Sequence, residues 1–485
     1  MIHLKIPVLL LVVLLLPFEA FALTPTRDRV LDKVKALQDS GQIEKKGVLR
    51  LQIKQGNRAS FLGREQNLRR QWEEATGLLL DIQLMPQGPA ARQLQANSGV
   101  DLVVARNDEY PELYHSGLIR PLDDLLKNLG FELNADQDFY LFAAQSRHAG
   151  QTLAVPADGD LLLLYLRQDL LEDPEEQQAF AERFGYPLAA PETWREYEDQ
   201  LAFFHRPEQQ LYGTVELRDP TLAWMHWLPR FASQAYPNQY LFDEQMQPQI
   251  NTPAGLEATR SYLATLDYSP DDIAKPGSGY DLALPHFSQG RAYSLMITVA
   301  GAKLFNRSGQ VISEHYSVHP LPGTRHAEGL VRRSPLAFGN NLVIPATSQQ
   351  PELALLYALW LTSPEISPAA VRHPGSFVDP FRYSHLTDTE IREVYGAAVV
   401  DTLQSSIELA IPAGTGLPGN ADFLNSLNEA LGQASEGRLT PEQVVGRVQT
   451  RWESLVKEAG PEKLLPFWLE QGALYPSLNK EENDG

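Results

Sequence analysis

The stretch 154–173, AVPADGDLLLLYLRQDLLED, sets Asp158 and Asp160 around Gly159 at the head of an apolar run, Leu161 to Leu166. Carboxyls so placed can accept from hydroxyls, balance an amine, or act as acid and base on a glycosidic bond. Residues two apart on a strand or turn rarely flank one bond, so binding is favoured over catalysis. A second polar group, Arg106-Asn107-Asp108, closes DLVVARND, and Arg58 lies in GNRAS (56–60). Guanidinium groups donate several hydrogen bonds to vicinal hydroxyls, and Asn107 and Asp108 can accept and donate in return. A third group is AWMHWL (223–228), where Trp224 and Trp227 stand three apart with His226 between them. At helical spacing the two indoles share a face. That face is either core or a platform for the apolar C–H side of a sugar. The plainer reading of each polar loop residue is a helix cap or a solvated turn.

Other chemistries lack their residues. There is no GxSxG elbow, no HExxH, no Walker loop and no dinucleotide glycine signature. The chain has no Cys, which excludes disulfides, thiolate metal sites and a Cys nucleophile. His315 and His319, in HYSVH, would share a helix face, but the segment reads as a strand, which sets them too far apart. No metal and no cofactor are expected. The net charge of −20 argues against nucleic acid and anionic membrane as partners, since both need a basic face.

These groups need elements to hold them. At 485 residues the chain is too long for one small core, and two or three domains are expected. MIHLK, the apolar IPVLLLVVLLLPF and Ala20-Phe21-Ala22 together read as a cleavable signal peptide over 1–22, with the mature chain starting near Leu23. No Cys follows to carry a lipid, so a freely diffusing periplasmic protein is expected. Residues 26–40 have helical spacing and form an N-terminal helical extension within 23–46. GVLRLQI, LLLDIQLM and DLVVAR read as strands separated by helices, which predicts a parallel α/β sheet covered on both faces. Helices are predicted over 191–205, 251–266, 420–434 and 440–459, a helix-to-strand passage over 287–301, and strand, turn and long helix over 336–365. Open α/β sheets bind ligands beyond the carboxyl ends of their strands, which selects Gly56–Ser60 and Arg106–Asp108.

The order of segments resembles the family 1 extracellular solute-binding proteins, the sugar-type receptors of ABC importers. The matching stretches include WEEATGLLLDIQL, DLVVARNDEYPELYHSGLIRPLDDLL, AVPADGDLLLLYLRQDLLED, APETWREYEDQL, LYGTVE, INTPAGLEATRSYL, FSQGRAYSLM and AFGNNLVIPATSQQPELALLYALWLTSPE, with the region around LTPEQVV. They follow the family's order over nearly the whole mature chain. The resemblance implies a two-lobed α/β binding-protein fold with discontinuous lobes and a ligand cleft between them. One lobe would hold 47–158 and 301–362, the other 159–300 and 363–485. Hinge crossovers would lie near 156–162, 296–301 and 361–368. Asp158-Gly159-Asp160 would then sit at the hinge, with Gly159 supplying backbone freedom. Phe338, Asn340 and Asn341 would occupy a cleft loop, and Gly301 and Gly375-Ser376-Phe377 further ones. The family often carries a Trp just after the segment matching MITVAG; Ala302-Lys303 stand there instead, so a particular sugar-stacking mode does not transfer. The implied function is non-enzymatic: a monomer that binds a carbohydrate or polyol and delivers it to a membrane permease. A polyamine receptor using Asp108, Asp158, Asp160 and Trp224 is the alternative, and a glycoside-acting enzyme the more distant one.

Overall fold

The computed structural model describes residues 26–54, 57–85, 90–96, 99–238, 240–273, 275, 279–336 and 339–476. The expected signal peptide and Phe338 lie outside the described residues. Among the described residues, no helix is long and apolar enough to cross a membrane.

Two sheets organise the chain. The first runs Leu79–Met85, Val48–Lys54, Leu102–Ala105, Asn341–Val343, Ala154–Val155 in spatial order. The three strands expected from GVLRLQI, LLLDIQLM and DLVVAR pair parallel, with Leu51 opposite Ile82 and Leu102. The other two are antiparallel additions. Leu51, Leu102, Val104 and Leu342 point into one core with Trp72, Tyr357 and Trp360; Val103, Ala105 and Val343 point into another with Tyr110 and Leu113. The N-terminal helix Thr26–Asp39 buries Val30 and Val34 in the first of these cores, where the long helix Pro351–Leu361 also lies.

The second sheet runs Tyr316–His319, Leu162–Arg167, Ala292–Thr298, Tyr212–Thr214. Its strand Leu162–Arg167 explains the apolar run. Leu162, Leu164 and Leu166 enter one core, whereas Leu161, Leu163 and Tyr165 enter the other. A strand covered on both faces has no polar side to show. The first of these cores is built with Trp194–Phe204, Ala223–Gln234, Pro253–Ala264, Asn420–Ser435 and Pro441–Ala459. Thr193 and Thr440 begin two of these helices with capping boxes to Glu196 and Gln443.

The expected lobe boundary at residue 301 is corrected by strand pairing. Tyr316–His319 hydrogen-bonds antiparallel to Leu162–Arg167, and Phe305 and Ile312 pack in a core of the second sheet. The chain therefore stays with the second sheet until about Leu336 and returns to the first at Asn341. The reason is local: the helix Gly301–Phe305 turns the backbone back under its own sheet. The first crossing lies between Val155 and Leu162, and the last near 370–371, where Ala370 packs in the first body and Val371 in the second.

Gly159 sits in the first crossing, but not for a special backbone angle. A Cβ there would lie 1.8 Å from the Pro380 carbonyl oxygen and 2.0 Å from the Tyr140 hydroxyl. Tyr140 donates to the carbonyls of both Gly159 and Pro380. Glycine is needed because the 380 segment and Tyr140 press against the crossing strand.

Candidate functional site

A cavity of about 670 Å³ lies between the two sheets and is walled by both bodies. From the first come Lys54 and Asn57 after strand Val48–Lys54, Arg106 and Asp108 after Leu102–Ala105, and Asn340 before Asn341–Val343. From the second come Asp160, Trp224, Tyr280, Thr298 and the helix residues Asn425 and Asn428. Phe377, in the last crossing segment, adds a ring. The carboxyl ends of the parallel strands thus supply the walls that an open sheet offers a ligand.

Local geometry fixes the Arg106 loop. Glu109 accepts from the backbone N–H groups of Arg106 at 2.8 Å and Ala90 at 2.7 Å. Arg106 clamps Asp108 through Nε at 2.7 Å and Nη2 at 2.9 Å. Burial pulls the Arg106 guanidinium down, but Asp108 and Glu109 outweigh it and hold the group charged. Lys54, lowered by burial, points its ammonium at Asn340 Oδ1, 3.4 Å away. Asn420 closes the opposite side by donating 2.8 Å to the Asp108 carbonyl across the gap.

Beneath the floor lies a second layer. Asp158 accepts from Asn340 Nδ2 at 2.9 Å and from the Asp379 backbone N–H at 2.8 Å. Burial, then Asp379, pushes its carboxyl up to about 7. Asp160 and Asp379 are raised by burial as well. Lys303 is pulled down to about 8 by burial, against these carboxylates, and donates to the carbonyls of Val371 and Val378, each at 2.9 Å.

The sequence candidates divide accordingly. Arg106, Asp108, Asp160, Trp224 and Asn340 are brought together around the cavity. Asp158 lies one layer below it. Five others are corrected. Arg58 is exposed on the short helix Arg58–Leu62, and its neighbour Asn57 faces the cavity instead. Asn107 faces a separate void of about 20 Å³, with its Nδ2 unpartnered among the described residues. Trp227 is fully buried, stacks on Phe231 at 4.9 Å and donates to Thr259. Almost every side chain of its helix is buried, so the shared face of Trp224 and Trp227 is mostly core. Asn341 is consumed as an internal brace, accepting from the Ala157 N–H and donating to Tyr110 and Gln145. Ser376 is buried and accepts from the Val378 N–H. His319 lies on a strand and bonds Ser317; among the described residues no acidic or histidine cluster fits a metal ion.

Sequence reasoning reached Asn57 and Phe377 only as members of the candidate loops 56–60 and 375–377, and missed Tyr280, Asn425, Asn428, Asp379 and the role of Lys303. Asn425 and Asn428, three apart on an otherwise apolar helix face, were a weak signal.

The acid-and-base reading of Asp158 and Asp160 finds no geometric support, because Asp158 is not on the cavity wall. What the arrangement can do is surround a small molecule with donors, acceptors and rings carried by two bodies joined through three crossing segments. Solved proteins share this architecture. An ABC transporter solute-binding protein from Agrobacterium radiobacter K84 in complex with ribitol superposes at a TM-score of 0.68 with 19% identity, over 84% of this chain and 98% of its own. The maltose-bound MalE3 of T. maritima gives 0.68 with 17% identity, over 84% and 100%. A solute-binding protein from Agrobacterium vitis S4 with bound D-mannitol gives 0.66 with 17% identity, over 85% and 99%. No curated protein matches the chain by sequence. Residues 73–391 match the family model described as bacterial extracellular solute-binding protein. By that match, over a stretch that contains the first crossing and most of both sheets, the chain belongs to the bacterial extracellular solute-binding proteins.

Proposed function

We propose that the protein is the periplasmic receptor of an ABC importer and binds a carbohydrate or polyol between its two bodies for delivery to a membrane permease. The observation that carries this reading is the cavity of about 670 Å³ with walls from both bodies. It falls in the usual range for a pocket that encloses a small molecule. A hydroxylated solute suits walls that combine amides, carboxylates, a guanidinium and a few rings. Ribitol, maltose and mannitol complexes of proteins with this fold support the solute class. Micromolar affinity needs about −8 kcal/mol. Net hydrogen bonds contribute about 0.5–1.5 kcal/mol each, or about 1.5–3 to charged groups. A handful of contacts, with one ring covered, is enough without a covalent step. A solute that touches both bodies binds the closed form better and shifts the hinge equilibrium toward it.

The test is a thermal-shift and calorimetric screen of pentitols, hexitols, hexoses and maltose-series sugars. At 100 times its dissociation constant a true solute stabilises the protein by about 2.7 kcal/mol. X-ray scattering of the same mixtures should show a smaller radius of gyration. A flat response across the panel, or turnover of a bound glycoside, would reject the reading.

A further inference from the structure

The cavity's charge narrows the solute class, an inference that rests on the receptor reading above. Lys54 and Arg106 are the cations on its walls, against Asp108, Glu109, Glu112, Asp160, Asp219 and Asp281. Several of these carboxylates are already engaged. Asp108 is clamped by Arg106, Glu109 caps two backbone N–H groups, and Asp219 accepts from Thr221. Asp160 differs. Its side chain is on the cavity wall yet only 4% exposed, and its Oδ1 has no hydrogen-bond partner among the described residues.

The layer beneath Asp160 makes a charge on this buried carboxyl costly. Asp158 and Asp379, both buried, face it, and Lys303 is the ammonium that faces all three. Lys303 spends its hydrogen bonds on the carbonyls of Val371 and Val378, not on the carboxyls. The remaining titratable groups around Asp160 among the described residues are the phenols of Tyr140 and Tyr280, with Tyr165 and Tyr395 near Asp379, and none of them supplies positive charge. Three buried carboxyls against one ammonium need further compensation, because a buried charge without a partner loses its hydration and gains nothing in return. Burial raises both Asp160 and Asp379, which favours a proton shared by the pair in the unliganded protein. Asp160 lines the cavity beside Thr298, where a better donor can approach it.

We infer that the solute carries a protonated amine on its hydroxylated frame, as an amino sugar or aminopolyol does, and that Asp160 receives this amine at the cavity floor. The ammonium takes the place of the shared proton, so binding releases a proton to solvent. Hydroxyls of the same solute meet Asn340, Arg106 and the helix amides above. A neutral sugar leaves the floor carboxyl protonated and forgoes the charge-assisted bond.

The experiment is titration calorimetry on the full chain with matched probes: D-mannitol and 1-amino-1-deoxy-D-mannitol, D-glucose and D-glucosamine, and corresponding pentitol and disaccharide pairs, with spermidine alongside. The amine of at least one pair should bind about tenfold or more tighter than its neutral partner, the scale of one hydrogen bond to a charged group. Asp160→Asn should bring the two within about threefold. Repeating the wild-type titration in buffers of different ionisation heat should reveal proton release with the amine alone, a readout that stands even if the variant does not fold. A neutral sugar bound as tightly as its amine overturns this inference and leaves the receptor reading intact. Spermidine binding without any saccharide or polyol overturns both, as does silence across all probes.

Discussion

Replacing Phe377 with Ala separates binding from stability more cleanly than any change at the tryptophans. The Phe377 ring is 53% exposed while lining the cavity, whereas Trp224, on the same wall, is only 3% exposed. A ligand can cover only area that is still open. A Phe side chain buries roughly 150–250 Å² when fully covered, so about 100 Å² remains at Phe377. One ring face against a solute removes roughly half of this. At about 25 cal/mol per Å² the loss on truncation is about 1–1.5 kcal/mol, or roughly tenfold in affinity. Because the ring is already half in water, Phe377→Ala should lower the unfolding free energy by less than about 1 kcal/mol. Calorimetry with the tightest solute from the screen, and urea melts of the unliganded protein, measure the two terms separately. Unchanged affinity, or a loss of stability matching the loss of affinity, would refute Phe377 as the platform. Trp224→Ala should do the reverse, costing mainly stability.

Trp227→Ala removes a fully buried indole stacked on Phe231 and bonded to Thr259; it should cost about 3–5 kcal/mol in denaturant melts, with no separate effect on affinity once the protein is folded. Gly159→Ala forces a methyl into the Pro380 carbonyl and Tyr140 hydroxyl; it should lower the melting temperature and alter the scattering-detected closure, and a variant identical to wild type in both would dismiss the close-approach explanation. Asn420→Ala deletes the donor to the Asp108 carbonyl across the cavity; a solute-dependent affinity loss of about 0.5–1.5 kcal/mol, mostly in the dissociation rate, is expected by surface binding kinetics. Folding raises the buried Asp158 carboxyl to about 7 and Asp160 in the same direction. Their protonated folded forms therefore stabilise the unliganded protein fully below the unfolded carboxylate value of about 4, and that contribution fades as pH rises through about 7. Asp160→Asn removes the Asp160 share and keeps that of Asp158, so its melting temperature should gain on wild type between pH 5 and pH 8. A gap independent of pH would exclude the buried carboxyl layer as its source.

Local sequence pattern was informative wherever one strand or helix sufficed to create the signal. The alternation hidden in Leu161–Leu166 is legible as a doubly buried strand because both of its faces pack on apolar cores. The helices over 191–205, 251–266 and 440–459 were legible as periodic segments, and the structure starts them with Thr193, Thr252 and Thr440, each capping a backbone N–H three positions on. The first crossing was placed by the family resemblance; the residues Asp158-Gly159-Asp160 alone left a turn or a cleft edge open. The rest needed residues far apart in the chain. Asn340 and Asn341 are adjacent and chemically identical, yet one faces the cavity and the other braces Ala157 and Tyr110. Asp158 meets Asp379 across 221 positions and Asn340 across 182.

The sequence by itself determined that a helix-covered parallel sheet would form from 47–106 and that a buried strand would follow Asp160, because periodic burial is a property of single elements; the second body and the crossings were only implied by the family resemblance. Only the tertiary structure decided that residues 301–335 belong to the second body, that Phe377 rather than Trp227 offers a ring to the cavity, and that Asp160 is left open above two buried carboxyls. Those outcomes depend on which distant segment takes the space beside each side chain, and no local period records it.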